Sequence, residues 1–392
     1  MTIPEINLKD YLYELPDDRI PNSPPLERSQ SKLLVFNKGE ISSVLFEGIV
    51  GQLPKEAHLV FNDTRVFPAR MFFKRETGAQ IEVFCLKSIS LPKFDGQFWK
   101  MKWEVMVGNL KKWNVGEVLS HATSLTVELI KKDESGCIVE FSWIGESNFY
   151  EILSQVAELP LPPYMNRKAT EFDKIRYQTV YAKHVGSVAA PTAGLHFTQE
   201  ILEKIITKGH QISHITLHVG AGTFKPIKTD KIAEHQMHSE SFTVKKDTIQ
   251  HIINNDYVIS VGTTSMRVLE SLYWLGVSIL HQNMGLDEIQ ISQWVGYRDD
   301  YGTNLQDSFA AILNQMELLE LGEISGQTSI IIILGYKFRV CKGLITNFHQ
   351  PQSTLILLVA AFLGDNWRIV YDYALQNDFR FLSYGDSSIL LP

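Results

Sequence analysis

The spacing of apolar residues changes along the chain. Residues 41–66 read as a helix followed by a strand, with HLVFND (His58 to Asp63) a buried run that ends in turn residues. The next stretch is short-period and β-rich: QIEVFCLK, KWEVMV, SLTVELI and CIVEFSW alternate apolar and polar positions, and KKDESG joins the last two as a hairpin turn. Several such strands predict a small antiparallel barrel or sandwich over 67–150. Beyond 150 the period lengthens. FYEILSQVAEL reads as a helix stopped by the prolines of LPLPPY. TQEILEKIITKG has a threonine N-cap, an early glutamate and a late lysine, which suit the two ends of a helix. HQISHITLHV follows as a strand, with Ile215, Leu217 and Val219 on one face and His214, Thr216 and His218 on the other. DYVISVGTTS runs strand into glycine turn into the helix SMRVLESLYWLG. SIIIIL reads as a buried strand, and STLILLVAAFLG and WRIVYDYALQ as helices. Strands alternating with helices imply an α/β fold with a largely parallel sheet. The expected architecture is an open α/β core domain over 1–66 and 151–392, with a small antiparallel β-barrel domain inserted at 67–150. Residues 281–323 read as a second, smaller insertion or a helical elaboration on the surface.

Length and charge refine this picture. The 392 residues, 44% of them hydrophobic, suffice for one large core and allow two domains. The three cysteines, Cys85, Cys137 and Cys341, are far apart and odd in number, which points to a reducing cytoplasm. MTIPEINLKDYLYELPDD lacks the apolar core of a signal peptide, and the longest apolar run, LILLVAAFL, is too short to span a bilayer, so no membrane association is expected. The net charge is −7. Eight acids stand against one base in 281–323, whereas ten bases stand against five acids in 60–112. A locally basic window thus survives in an acidic chain.

Ligands of open α/β sheets bind beyond the carboxyl ends of the strands. Three loops have that form: VGAGTF with Gly220 and Gly222, VGTTSMR with Thr263, Thr264 and Arg267, and ITNFHQPQST with Asn347 and His349. VGSVAAPTAGLHF, with Thr192, Gly194 and His196, is small, apolar and uncharged, and reads as a buried seam, a linker or a loop that holds a ligand, with His196 as either a structural or a site residue. No Walker loop, GxGxxG or GxSxG occurs, so these loops fit a ligand without phosphates at least as well. HQMHSE brings His235, His238 and Glu240 within six residues. It lacks the HExxH spacing of a zinc site, and no metal is expected; acid–base chemistry near neutral pH and a plain polar turn both stay open. YGDSS offers Asp386 as either a cap or a ligand carboxylate.

Taken together, FNDTRVFPAR, LPLPPYMNR, RYQTVYAKHVGSVAAPTAGLHFT, ITLHVGAGTFKPI, HQMHSE, VGTTSMRVLES, LITNFHQPQSTLILLVAAFLG and DFRFLSYGDSSIL resemble, in this order, the S-adenosylmethionine:tRNA ribosyltransferase-isomerase family of queuosine biosynthesis. The resemblance implies an enzyme that moves and rearranges the ribosyl part of S-adenosylmethionine onto 7-aminomethyl-7-deazaguanine at the tRNA wobble position. Epoxyqueuosine-tRNA forms, and adenine and methionine leave. S-Adenosylmethionine is then a consumed substrate, tRNA the macromolecular partner, no cofactor is needed, and a cytoplasmic monomer is expected. The sulfonium acidifies the adjacent C5′ hydrogens, and His196, His218, His235, His238 and Glu240 are candidates for the base. Asp386 or Glu240 is a candidate to hold the incoming amine. Asp63 and Thr64 could accept from ribose hydroxyls, with Arg65 beside them. Arg70, Lys74, Arg75, Lys111 and Lys112 could meet the tRNA backbone. Two departures stand out: LGY (Leu334 to Tyr336) where PGY is usual, and HQPQST, with Gln352, where HxPKST is usual. A paralogue acting on a small nucleoside and a non-catalytic RNA-binding protein remain as alternatives.

Overall fold

A computed structural model describes residues 4, 6–121, 125–133, 136–146, 148–220, 222, 227, 229, 231–282 and 284–392. Among these, ten strands form one large sheet. Its centre is parallel: Gln211–Leu217, His58–Asn62, Val258–Val261 and Cys341–Asn347 lie side by side in that order. His58–Asn62 and Val258–Val261 are buried throughout, as strands covered on both faces must be. On one side the sheet continues through antiparallel Glu240–Lys245 and Glu323–Thr328 to the edge strand Ile289–Ile291. On the other it continues through Ser387–Leu391, Lys32–Asn37 and the edge strand Glu40–Leu45. All four central strands point their carboxyl ends one way, so Val219, Asp63, Gly262 and Phe348 emerge at one rim.

Two elements differ from expectation. Residues 41–66 do not begin with a helix. Lys38 and Gly39 both take positive φ, 48° and 93°, and turn Lys32–Asn37 back into the antiparallel strand Glu40–Leu45; only a 3-10 turn, Phe46–Gln52, follows. Nor is SIIIIL a strand. The strand is Glu323–Thr328, and the isoleucines after it satisfy their backbone outside a strand ladder: Arg267 Nε donates to the Ile330 carbonyl, the Ile331 N–H donates to the Gln293 carbonyl, and the Tyr297 hydroxyl bonds both the N–H and the carbonyl of Ile333.

The alternating segment makes a separate antiparallel sheet, running Arg70–Lys74, Gln80–Ser88, Trp99–Gly108, Gly136–Trp143, Thr126–Asp133, Val118–Ser120. Its end strands approach one another, so it is barrel-like and nearly closed around Trp103, Phe141 and Trp143. The tip of the KKDESG hairpin, residues 134–135, lies outside the described residues. The helix Phe149–Val156, capped by Asn148 and Glu151 side chains, plugs this barrel with Phe149, Ile152 and Leu153. A boundary at 150 therefore cuts a helix whose apolar face belongs with the barrel.

Residues 281–323, read as a second insertion or a helical surface elaboration, supply both sheet and core. Ile289–Ile291 is an edge strand of the large sheet, and Phe309, Ile312 and Met316 of the helix Leu305–Leu318 are buried in the main core. That helix lies so close to Thr263–Gln282 that a Cβ on Gly276 would stand 2.1 Å from the Ser308 carbonyl oxygen.

Candidate active site

A cavity of 590 Å³ opens at the carboxyl rim of the central strands, within the roughly 300–1,000 Å³ usual for small-molecule sites. At its wall Glu240, first residue of its strand, faces Arg267 in the second turn of the helix Thr263–Gln282. Arg267 Nη1 donates to Glu240 Oε2, and His238 Nε2 lies 3.2 Å from Oε1. Burial raises the pKa of Glu240, but the Arg267 charge and the His238 hydrogen bond outweigh it and hold the carboxyl well below the usual range. An ionised Glu240 requires His238 to present Nε2–H to it, which leaves Nδ1 of a neutral ring as the basic nitrogen. Gly222 lies against that ring: a Cβ there would be 2.5 Å from Nδ1. Ala221, Thr223 and Phe224 of the same motif lie outside the described residues. His235 lines the cavity too, its pKa lowered by burial and by His238.

Three buried polar atoms of lining residues have no partner among the described residues: Arg267 Nη2, Thr264 Oγ1 and Asn347 Oδ1. One donates, one accepts and one does either, which is a complement for a polar ligand. The orientation of Asn347 is fixed from behind. Its Nδ2 approaches the Asp386 carbonyl at 3.4 Å and His196 Nε2 at 3.1 Å. A carbonyl can only accept, so the amide nitrogen points that way and Oδ1 the other. His196 is then the Nδ1–H tautomer. That N–H reaches Ser31 Oγ at 2.7 Å, and Ser31 in turn donates to the Arg28 carbonyl. Burial holds His196 neutral, lowering its pKa to about 4.

The structure thus gathers His235, His238, Glu240, Thr192, Gly222, Thr263, Thr264, Arg267, Asn347 and His349 around one cavity. It places the other sequence candidates elsewhere. His196 sits behind Asn347 and not in the cavity. Asp386 is consumed structurally: its oxygens accept from the Lys32 and Arg380 backbone N–H groups and from the Arg380 guanidinium. Gly194 lets the Tyr181 ring come close, since a Cβ would be 1.9 Å from its hydroxyl oxygen. Gly220 stands just off the wall. Asp63, Thr64 and His218 form a separate cluster toward the barrel, with Thr216 Oγ1 donating to Asp63 and Thr64 Oγ1 2.9 Å from His218 Nδ1; Arg65 beside them is exposed. On the barrel, Arg70 and Arg75 are paired with Glu82 and Glu117, both at 2.6 Å, while Lys74, Lys111 and Lys112 are exposed. No described barrel residue lines the cavity.

A family model described as queuosine biosynthesis protein matches residues 8–390. The chain belongs to the queuosine biosynthesis protein family. Two relatives, both named S-adenosylmethionine:tRNA ribosyltransferase-isomerase, agree with this. That of Trichlorobacter lovleyi is 34% identical over 98% of this chain and 99% of its own, and that of Halothermothrix orenii 38% identical over 98% and 100%. A solved structure of an S-adenosylmethionine tRNA ribosyltransferase from Thermotoga maritima is 25% identical and covers 97% of this chain and all of that one, with a TM-score of 0.46.

Within this family fold, several wall residues escaped the sequence reading. Tyr164 and Tyr177 flank the cavity, although LPLPPY reads only as a helix stop. Ile330, Ile331 and Ile332 line it because their run is not a strand. Gln293, from the supposed surface insertion, clamps the histidine loop: its Nε2 donates to the His235 carbonyl at 2.7 Å and its Oε1 accepts from the Met237 N–H at 3.0 Å. Nothing local in the sequence marks Gln293.

Proposed function

We propose that this protein transfers the ribosyl moiety of S-adenosylmethionine to 7-aminomethyl-7-deazaguanine in the wobble position of tRNA and isomerises it to the epoxycyclopentane of epoxyqueuosine. The observation that carries the reading is the Arg267–Glu240–His238 chain at the wall of a nucleoside-sized cavity. His238 Nδ1 is the base that removes the C5′ proton next to the sulfonium, and Glu240 stabilises the imidazolium that results. Arg267 keeps Glu240 ionised for that purpose. The amine nitrogen bonds to C1′ and gives up a proton as the bond to adenine breaks and adenine takes one up. The electron pair freed at C5′ bonds to C1′ and releases the ring oxygen, which displaces methionine from C5′ and closes the epoxide. Asn347 Oδ1 and Thr264 Oγ1 hold N–H and O–H groups of the bound nucleoside. Both substrates are consumed, so S-adenosylmethionine is no resident cofactor. A cytoplasmic monomer goes with this reading; no single described helix is long and apolar enough to cross a membrane.

The test is incubation of the protein with S-adenosylmethionine and tRNA carrying the aminomethyl-deazaguanine, with adenine release as the readout. Release with tRNA, lost in His238→Ala, is the expected result. Release with the free nucleoside and not with tRNA selects a small-molecule paralogue, and tRNA binding without any release selects a non-catalytic RNA-binding protein.

A further inference from the structure

Behind the cavity two arginines lie together without a carboxylate. Arg28 donates through Nη1 to the Leu195 carbonyl at 2.9 Å and through Nη2 to the Gln178 and Ile175 carbonyls at 2.8 and 3.1 Å. Arg176 returns the contact, Nη1 to the Leu26 carbonyl at 2.6 Å and Nη2 to that of Pro25 at 2.8 Å. The segments around 25–28 and 175–178 are thereby stapled to one another. Such a staple needs N–H donors, not charge. Yet neither arginine forms an ion pair among the described residues, and Arg176 Nε is buried without a partner. Two full positive charges therefore stand side by side against partial charges only. Burial and the neighbouring Arg176 both push the Arg28 pKa down, to about 10. An anion would relieve this repulsion and take the idle donor.

The place of the pair suggests the anion. The two side chains border a recess closed by Pro24, Pro25, Ser383 and Tyr384. Ser383 also lines the cavity, and so does Tyr177, the next residue after Arg176. The charges thus stand directly behind the site that takes the reacting nucleotide. The recess holds about 10 Å³, room for an oxygen atom and not for a whole phosphate, so the rest of the anion must stay outside. A phosphodiester meets that condition. On the outer surface here Arg167, Lys168 and Lys174 are paired with Asp173, Glu158 and Glu171, and Lys183 is exposed with no ion pair among the described residues, so one further cation is open to a strand that passes the pair.

We infer that Arg28 and Arg176 hold a backbone phosphate of the tRNA strand whose modified nucleotide occupies the cavity. This rests on the reaction proposed above. To the barrel, where Arg70 and Arg75 are already paired with Glu82 and Glu117 and Lys74, Lys111 and Lys112 stay exposed, it adds an RNA contact on the face beside the cavity.

The test measures tRNA binding from 50 to 200 mM salt for the wild type, Arg176→Gln and Arg176→Lys, with S-adenosylmethionine affinity as the fold control. Loss of one phosphate contact lowers the slope of log K against log salt by about 0.7–0.9. Arg176→Gln should thus lose about threefold less affinity than the wild type over that range. Arg176→Lys should keep the wild-type slope, and S-adenosylmethionine should bind all three alike. An unchanged slope in a folded Arg176→Gln makes the pair a staple only and overturns the inference. So does an inorganic phosphate site in the wild type that is lost in Arg176→Gln without any change in tRNA binding. Should Arg176→Gln not fold, phosphate ethylation of the tRNA against the wild-type protein replaces it: interference must fall next to the modified nucleotide, and its absence there overturns the inference. A wild type that neither binds the tRNA nor releases adenine refutes the proposed reaction instead.

Discussion

Glu240 and Asp386 are both buried and both face an arginine, yet their surroundings diverge. Asp386 is held by the backbone N–H groups of Lys32 and Arg380 and by the Arg380 guanidinium, and it faces no cavity. Glu240 has fewer partners. Arg267 keeps Nη2 idle at a cavity wall, and His238, which meets Glu240 through Nε2, lines the same cavity. A fully satisfied carboxylate fixes the chain, whereas one whose partners retain unused capacity is available for chemistry.

The largest expected effect tests the Glu240 side of this contrast. His238→Ala should reduce single-turnover adenine release by about 10²–10⁴-fold while leaving the melting temperature unchanged. Comparable turnover would show that His238 is only a polar turn. Asp386→Asn should do the opposite. It should lower stability by about 3 kcal/mol in denaturant titration, with turnover of the folded fraction near that of the wild type. Lost turnover in a fully stable Asp386→Asn would erase the contrast. Asn347→Ala tests the idle acceptor: calorimetry should show S-adenosylmethionine binding weakened by about 1–2 kcal/mol.

The buried histidines give a smaller, graded effect. Burial lowers the pKa of His58 and His196 to about 4 and that of His349 to about 3, from an ordinary 6.5. Between those values and 6.5 the unfolded chain binds protons that the folded one refuses. Stability is therefore full above pH 6.5 and declines as the pH falls toward 4, by at most about 1.4 kcal/mol per pH unit for each histidine. Replacing His58 with a neutral residue should flatten denaturation midpoints across that window. The smallest effect concerns the acidic segment. Exposed Glu317 and Glu320 should be replaceable by glutamine with no change in the salt dependence of tRNA binding. Removing the whole segment is a different matter, because Phe309, Ile312 and Gln293 would go with it.

Much of this arrangement was legible in order. The parallel strands His58–Asn62, Gln211–Leu217 and Val258–Val261 and the N-cap Thr198 follow from local spacing, because each depends on neighbours a few residues away. VGTTSMR and ITNFHQ converge because the carboxyl ends of parallel strands meet at one rim, and HQMHSE joins them because the antiparallel strand Glu240–Lys245 begins at that rim. What escaped depends on distant partners. His196 next to a helix start looks like a site residue, and only Ser31 and Asn347, 165 and 151 residues away, reveal it as a support. Ile330 to Ile333 have the composition of a strand, and it takes Arg267, Gln293, Tyr297 and Thr328 to explain why they need no neighbouring strand. The β-turn at Lys38 and Gly39 was hidden by the apolar spacing of the residues after it.

The large sheet ends in Ile289–Ile291, three residues long and preceded by Asp287 and Glu288, both exposed. An open strand edge is a template for a foreign chain, and short length with repelling charge is a usual protection. Asp287 and Glu288 thus have a colloidal meaning: their charge and the shortness of the strand beside them both work against pairing with another open sheet edge.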